Sequence, residues 1–420
     1  MIKKIKILTI SDHILLPSGV ALQARYMIEG LLKTGKYQVI SLGGAIKHQN
    51  YNPIRTEEWG EDLTIFPVDG FGDQNLIRSM IRSEKPDILW FMTDPRFYGW
   101  LWNIANEIRP LVPMVYYHVW DNKPYPKFNK AFYDSNDVIV TISKLTDECV
   151  RNVSPEVETH YLPHAVPPNV FFPMPEAEVL AARKTHFPNM ADDAMLLFWN
   201  SRNAGRKQPG AILWWFNDFL NKVGRDKAVL LMQTNTNDPH GFNLKAIIKE
   251  LGLDDGSVIF SEQMVQPDIL RLMYNMADVT LSASNAEGFG VSTLESLNCG
   301  TPIIVPRTGG LQEQVTNGID TFGEMIELSS RHIIGSQEVP YIYQDEISGD
   351  GFVNALCQMN DLTRKERKEL GMKGREHALK NYGFETYQTR WDEIMTKVYN
   401  ERGSWDSRKQ YKSWTLKDIK

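Results

Sequence analysis

Apolar, β-branched runs alternate with helix-length amphipathic stretches along this chain, and the alternation falls into two series. The first predicts strands near Ile5–Ile10, Gln38–Leu42, Asp87–Met92, Met114–His118 and Val138–Ile142, with helical patterns such as Leu22–Leu32 between them. The second starts at Met195–Trp199 and continues through Val229–Gln233, Val258–Phe260, Val279–Ser282 and Ile303–Val305. Strands separated by helices predict α/β units with mostly parallel sheets. Between the series, Pro163–Pro175 (PHAVPPNVFFPMP) is too rich in proline to hold a long regular element and marks an interdomain crossing. Lys365–Tyr399 reads as two or three helices rich in Lys, Arg and Glu, whereas Ser329–Asp350 is long and irregular.

The densest chemistry lies between Thr280 and Val315, TLSASNAEGFGVSTLESLNCGTPIIVPRTGGLQEQV. A buried strand ends near Ser282, Gly288 and Gly290 permit a tight turn, and Ser292 and Thr293 suit a helix start. Free backbone N–H groups over Val291–Leu294, with the positive end of the helix dipole behind them, suit a phosphate or a sugar hydroxyl. Glu287 stands just before that helix and Glu295 about one turn into it, so two carboxylates are available to polyol hydroxyls. Cys299-Gly300-Thr301-Pro302 then ends the helix, and Ile303–Val305 restarts a strand leading to Thr308-Gly309-Gly310.

The stretch EGFGVSTLE resembles the two-glutamate signature of glycosyltransferase family 4, retaining enzymes of the GT-B fold that use nucleotide sugars. The resemblance implies an α/β, GT-B architecture of two Rossmann-like domains facing across a cleft. The N-terminal, acceptor-side domain would span residues 1–172, rejoined by a C-terminal helix over about 384–420, and the nucleotide-sugar domain 185–383. The donor would be a UDP- or GDP-sugar held by Glu287, Gly288, Phe289, Gly290, Val291, Ser292 and Glu295, with no obligatory cofactor or metal. The acceptor would be a glycan, lipid or small molecule.

Further candidates follow from the same resemblance. Arg202 and Lys207, in RNAGRK after Met195–Trp199, take the place of the cations that neutralise the leaving diphosphate, with Arg206 as an extra cation. Gly19, in Pro17-Ser18-Gly19, stands where the first loop lets backbone approach an anion. His118, after Pro113–Tyr117, takes the place of a histidine near the donor sugar; two residues separate it from Asp121. Position rather than resemblance adds Asp94 and Arg96, at the carboxyl end of the strand Asp87–Met92, as candidates to line an acceptor cleft beside Trp100, Trp102 and Trp120, tryptophans that otherwise pack in the core. The catalytic candidates are therefore Glu287, His118, Arg202 and Lys207.

Composition narrows this picture. At 420 residues the chain exceeds the roughly 250–300 residues of a single core, so two domains are expected. A net charge of −6 gives no global attraction to nucleic acid or an anionic membrane. The basic, aromatic tail of Arg408, Lys409, Tyr411, Lys412, Trp414, Lys417 and Lys420 nevertheless offers contacts to DNA phosphate, which leaves modified DNA bases as an alternative acceptor. A sugar-nucleotide epimerase or hydrolase, or a binding protein without turnover, is the other alternative. Cys149, Cys299 and Cys357 are too few and scattered for a disulfide framework or zinc site. MIKKIKILTI lacks a signal-peptide core, and no apolar run approaches the ~20 residues of a membrane span. A cytoplasmic protein is expected.

Overall fold

The computed structural model describes residues 3–411. The chain divides into two compact units, one formed by 3–164, 335–341 and 385–411 of these residues, the other by 165–334 and 342–384. The break at His164/Ala165 lies inside the proline-rich stretch.

The first unit holds a seven-stranded sheet in the order β3-β2-β1-β4-β5-β6-β7. Its strands are β1 (Ile5–Asp12), β2 (Tyr37–Gly44), β3 (Leu63–Pro67), β4 (Ile88–Thr93), β5 (Met114–His118), β6 (Val138–Thr141) and β7 (Glu158–Tyr161). All neighbours run parallel. β4 through β6 are buried along their whole length, as befits a sheet covered on both faces, and this is why their sequences are continuous apolar runs. The edge strands β3 and β7 have no counterpart in the sequence reading. β7, ETHY, is half-buried at every position and carries no apolar alternation.

The second unit holds a six-stranded sheet in the order β10-β9-β8-β11-β12-β13. The strands are β8 (Met195–Asn200), β9 (Ala228–Gln233), β10 (Val258–Ser261), β11 (Val279–Leu281), β12 (Ile303–Pro306) and β13 (Gly323–Ile326), again all parallel. Its core joins Leu197, Trp199, Phe216, Leu230, Ile304, Phe352 and Leu356. Strand order reverses between β8 and β11, so the connections leaving these two neighbours diverge and open a crevice at their carboxyl ends. The segment that looked irregular in sequence folds as an antiparallel hairpin, β14 (Ser330–Ile334) and β15 (Ile342–Glu346).

The last long helix, Phe384–Arg402, packs on the first unit. Tyr387 donates to the Gln23 carbonyl at 3.0 Å, and Lys36 pairs with Asp392 at 2.7 Å. Beyond it, Arg408 is committed to the fold: it pairs with Asp137 at 2.5 Å, with both side chains almost fully buried. Lys409 and Tyr411 are also described, and Tyr411 lies under the Arg109 and Arg408 guanidinium groups. Lys412, Trp414, Lys417 and Lys420 of the proposed DNA-contacting tail lie outside the described residues. No helix among the described residues is long and apolar enough to cross a membrane.

Candidate functional site

The connections after β8 and β11 meet at the reversal point of the second sheet. After β8 the chain makes a short 3-10 turn, Gly205–Lys207, and after β11 it runs through Asn285 and Glu287 to Gly290. Asn285 N donates to the Arg206 carbonyl at 2.9 Å, which stitches the two loops together backbone to backbone. Lys207 Nζ makes a close ion pair with Glu287 Oε2, and Arg206 approaches the same oxygen at 3.3 Å. The Lys207 and Glu287 side chains are only 16% and 15% exposed. Burial pushes the Glu287 carboxyl up, but the two cations outweigh it and hold it below the usual carboxylate range. The result is an ionised acceptor beside two cations at the mouth of a crevice.

The helix Val291–Asn298 begins beside that carboxylate. Its cap is Gly290, at φ 91° and ψ 72°, with no side-chain capping bond. A Cβ at Gly290 would lie 2.6 Å from Leu311 Cδ2 and 2.7 Å from Thr293 Oγ1. Glycine is thus required both by backbone conformation and by close approach. Thr293 does not cap the helix; its single hydroxyl proton is shared between the Gly290 carbonyl at 2.8 Å and Gln314 Oε1 at 2.7 Å. Gln314 Nε2 returns bonds to the carbonyls of Phe289 and Gly290 at 2.8 and 3.0 Å. The loop is closed from the other side by Gly310 N, which donates to the Glu287 carbonyl at 3.0 Å. With its carbonyls occupied, the turn leaves a helix start whose polarity favours anions.

Glu295 lies one turn deeper. It is 6% exposed, and its Oε2 accepts from the Tyr274 hydroxyl at 2.7 Å. Burial raises its pKa to about 7, against the lowering effect of that hydrogen bond. Glu287 and Glu295 are therefore held in opposite electrostatic settings, one ionised by neighbouring cations and one close to neutrality.

The remaining candidates stand in other surroundings. Arg202 leaves the Lys207 cluster and forms a two-point ion pair with Asp238, at 2.6 and 3.2 Å, on an exposed surface. Ser292 stands in the first turn of the helix, half-buried. Gly19 and His118 belong to the first unit. Gly19 opens the helix Gly19–Lys33 behind Ser18, whose side chain accepts from Ala21 N and donates to Asp12 Oδ2 at 2.5 Å. His118 is fully buried. Its ring nitrogens lie 3.0 Å from the Tyr116 hydroxyl and 2.7 Å from that of Tyr133. Burial lowers its pKa to about 3, so the ring is neutral at ordinary pH. Asp94 forms a two-point ion pair with Arg96 at 2.9 and 3.0 Å. Trp102 and Trp120 are core side chains, the former stacked on Phe132. Tyr274, Asn285, Gln314 and Asp345 escaped the sequence reading; Tyr274 sits in the apolar helix pattern ILRLMYNM, which signals packing alone. Among the described residues, no group of three or more His, Cys, Asp or Glu side chains is placed to hold a metal ion.

Residues 227–326 match the family model of the glycosyl transferases group 1. The D-inositol 3-phosphate glycosyltransferase of Acidothermus cellulolyticus is 44% identical over 75 residues, which span 18% of this chain and 16% of that relative. Sucrose-phosphate synthase from Thermosynechococcus elongatus superposes with a TM-score of 0.74 at 15% identity, over 95% of this chain and all of that one. The Anabaena protein HepE, solved with UDP and glucose, superposes with a TM-score of 0.68 at 13% identity, over 94% of this chain and all of its own. Over the stretch that carries Glu287, Glu295 and the glycine turn, this chain matches the group 1 glycosyl transferases, and its two parallel sheets have the GT-B fold.

Proposed function

We propose that this protein is a retaining glycosyltransferase that moves a sugar from a UDP- or GDP-sugar to a hydroxyl of a glycan, lipid or small molecule. One observation carries the reading: Lys207, Arg206 and Glu287 converge at the strand-order reversal, beside the Gly290-capped start of a helix. A diphosphate entering there exchanges Glu287 for its own oxygens as partner of Lys207 and Arg206, and lies against the N–H groups of Val291 and Ser292. Glu287, relieved of one cation, accepts from a hydroxyl of the donor sugar. Glu295 accepts from the ribose.

In the proposed step the bond from the anomeric carbon to the diphosphate oxygen breaks as the acceptor oxygen approaches the same face. The departing phosphate oxygen takes the acceptor's proton. Catalysis then rests on positioning and on cations aimed at the charge that develops on the leaving group. A relative named as a glycosyltransferase and a structural neighbour solved with UDP and glucose support this reading.

The test is incubation with UDP-, GDP-, ADP- and dTDP-sugars, alone and with glycan, lipid and modified-DNA acceptors, read by mass-resolved chromatography. Nucleotide release from one donor that is lost in Lys207→Ala, with product of unchanged anomeric configuration, is the expected result. Conversion to an isomeric sugar nucleotide without acceptor would make it an epimerase. Absence of both turnover and nucleotide binding would overturn the reading.

A further inference from the structure

The hairpin β14–β15 sends one acidic side chain inward. Every residue of β14 is exposed, yet Asp345 on β15 is 3% exposed. Its Oδ2 accepts from Thr308 Oγ1 at 2.7 Å, in the turn after β12. Its Oδ1 accepts from Arg331 Nε at 2.5 Å, across the hairpin. Its backbone bonds twice to Asn285: Asp345 N donates to the Asn285 carbonyl, and Asn285 Nδ2 donates to the Asp345 carbonyl, both at 2.9 Å. Asn285 in turn donates from its amide to the Arg206 carbonyl at 2.9 Å and accepts from Gln208 Nε2 at 2.6 Å. Asp345 thus ties the hairpin directly to the turns after β12 and β11, and through Asn285 to the turn after β8, all three turns lying within the second unit.

A carboxylate withdrawn from water is costly unless each oxygen is satisfied. A hairpin that merely covered the surface would not need one. Asn285, the backbone partner of Asp345, and Arg206, which Asn285 holds in turn, flank Glu287 and Lys207, so the hairpin reaches the supports of the ion pair through the Asp345 backbone, which the side-chain bonds to Thr308 and Arg331 anchor. The sequence between β13 and the helix Gly349–Asp361 showed no motif, because this role depends on contacts between segments far apart in the chain.

We infer that Asp345 is a positioning residue, through which the exposed hairpin fixes Asn285 and thereby the spacing of Lys207 and Arg206 from Glu287. Its kinetic consequence rests on the transferase reading above; the positioning does not.

The experiment compares the full chain with Asp345→Ala, Asp345→Asn and Thr308→Val by amide hydrogen exchange and kinetics. In Asp345→Ala, exchange of peptides covering 203–208 and 284–291 should quicken at least tenfold, while peptides from β1–β6 stay unchanged. Asn keeps an acceptor for Thr308 and should restore most of the protection. Thr308→Val, which leaves the hairpin's own bonds in place, should quicken the same peptides by a smaller factor and serves if the alanine variant does not fold. With an active donor, kcat should fall at least tenfold in Asp345→Ala while KM for the acceptor holds. Unchanged loop exchange, or an equal rise throughout the second unit, would overturn the positioning. Quickened loops with unchanged kcat would overturn its bearing on the site. Absence of turnover in the unaltered protein would count against the transferase reading alone, since exchange needs no substrate.

Discussion

The Tyr274 hydroxyl donates to Glu295 Oε2 at 2.7 Å while itself accepting from Asn200 Nδ2 at 2.9 Å, so a phenol couples the end of β8 to the inner carboxyl of the helix. One hydrogen bond does not offset burial, and the carboxyl titrates at about 7. A ligand whose hydroxyls donate to the ionised form must displace its proton.

Binding of a UDP-sugar, a diphosphate diester that does not itself titrate in this range, should therefore release a proton at pH 6, and its affinity should weaken toward about tenfold per pH unit below 7. Calorimetry in buffers of different ionisation enthalpy measures the release. Glu295→Gln should abolish both effects.

The same group affects stability with a definite sign. A carboxyl whose folded pKa is raised stabilises fully below its unfolded value and loses that contribution as pH rises through the folded one. The rise from 4.5 to about 7 corresponds to a penalty on the order of 3 kcal/mol on the alkaline side. Glu295→Gln should match the parent below pH 4.5 and exceed it in Tm at pH 8. Thermal melts across that range decide it.

Removing Lys207 strips a poorly hydrated carboxylate of its nearest cation. Lys207→Ala should cost about 1–3 kcal/mol of stability as well as donor binding. Adding Glu287→Ala should recover much of the stability and none of the binding. A double-mutant cycle in urea, with donor affinity measured beside it, separates the two losses.

Gly290→Ala should destabilise by about 1–3 kcal/mol, because alanine resists the left-handed cap and its methyl meets Leu311 and Thr293. Gly318 is the comparison: its φ is also positive, at 92°, but nothing lies within 4 Å of an added Cβ. Gly318→Ala should cost less in a urea titration and spare donor affinity.

The C-terminal helix predicts an acid-sensitive contact. Glu158 accepts from His160 at 2.8 Å, Lys397 at 2.7 Å and Arg402 at 2.6 Å, and these bonds, His160 foremost, hold its pKa below the ordinary range. A depressed carboxylate contributes above its unfolded pKa and loses that contribution as pH falls. Glu158→Gln should be about 1–2 kcal/mol less stable at pH 7, and the gap should close toward pH 2. Urea titrations at several pH values measure it.

The central strands and the glycine turn were legible because burial on both faces writes an apolar run and because Gly290 answers a backbone demand that few residues meet. The position of Lys207 after β8 was legible, but its ion pair with Glu287 was not. Arg202 shares that spacing, but sequence does not show that Asp238 holds its guanidinium. His118 ends β5, where period two puts Tyr116 on its own face, but nothing local announced Tyr133, which holds the other ring nitrogen. The strands β7 (ETHY) and β13 (GEMI) are four residues each and carry little apolar pattern, while β3 (LTIFP) alternates in burial over only five residues. Tyr274 and Asp345 act through partners far along the chain, which periodicity does not record.

Lys207 and Glu287 are 80 residues apart in the chain, and their loops meet because β8 lies beside β11, with Leu197 opposite Val279. That pairing closes a long stretch of polypeptide and belongs to the slow, non-local part of folding. The ion pair can form only after the central pairing of the sheet is in place, so a nascent chain released before β11 lacks it, however well its earlier strands have collapsed. On the proposed function, nucleotide binding would accordingly report completion of the second sheet, and a nucleotide added during refolding would stabilise the end of the reaction without guiding its beginning.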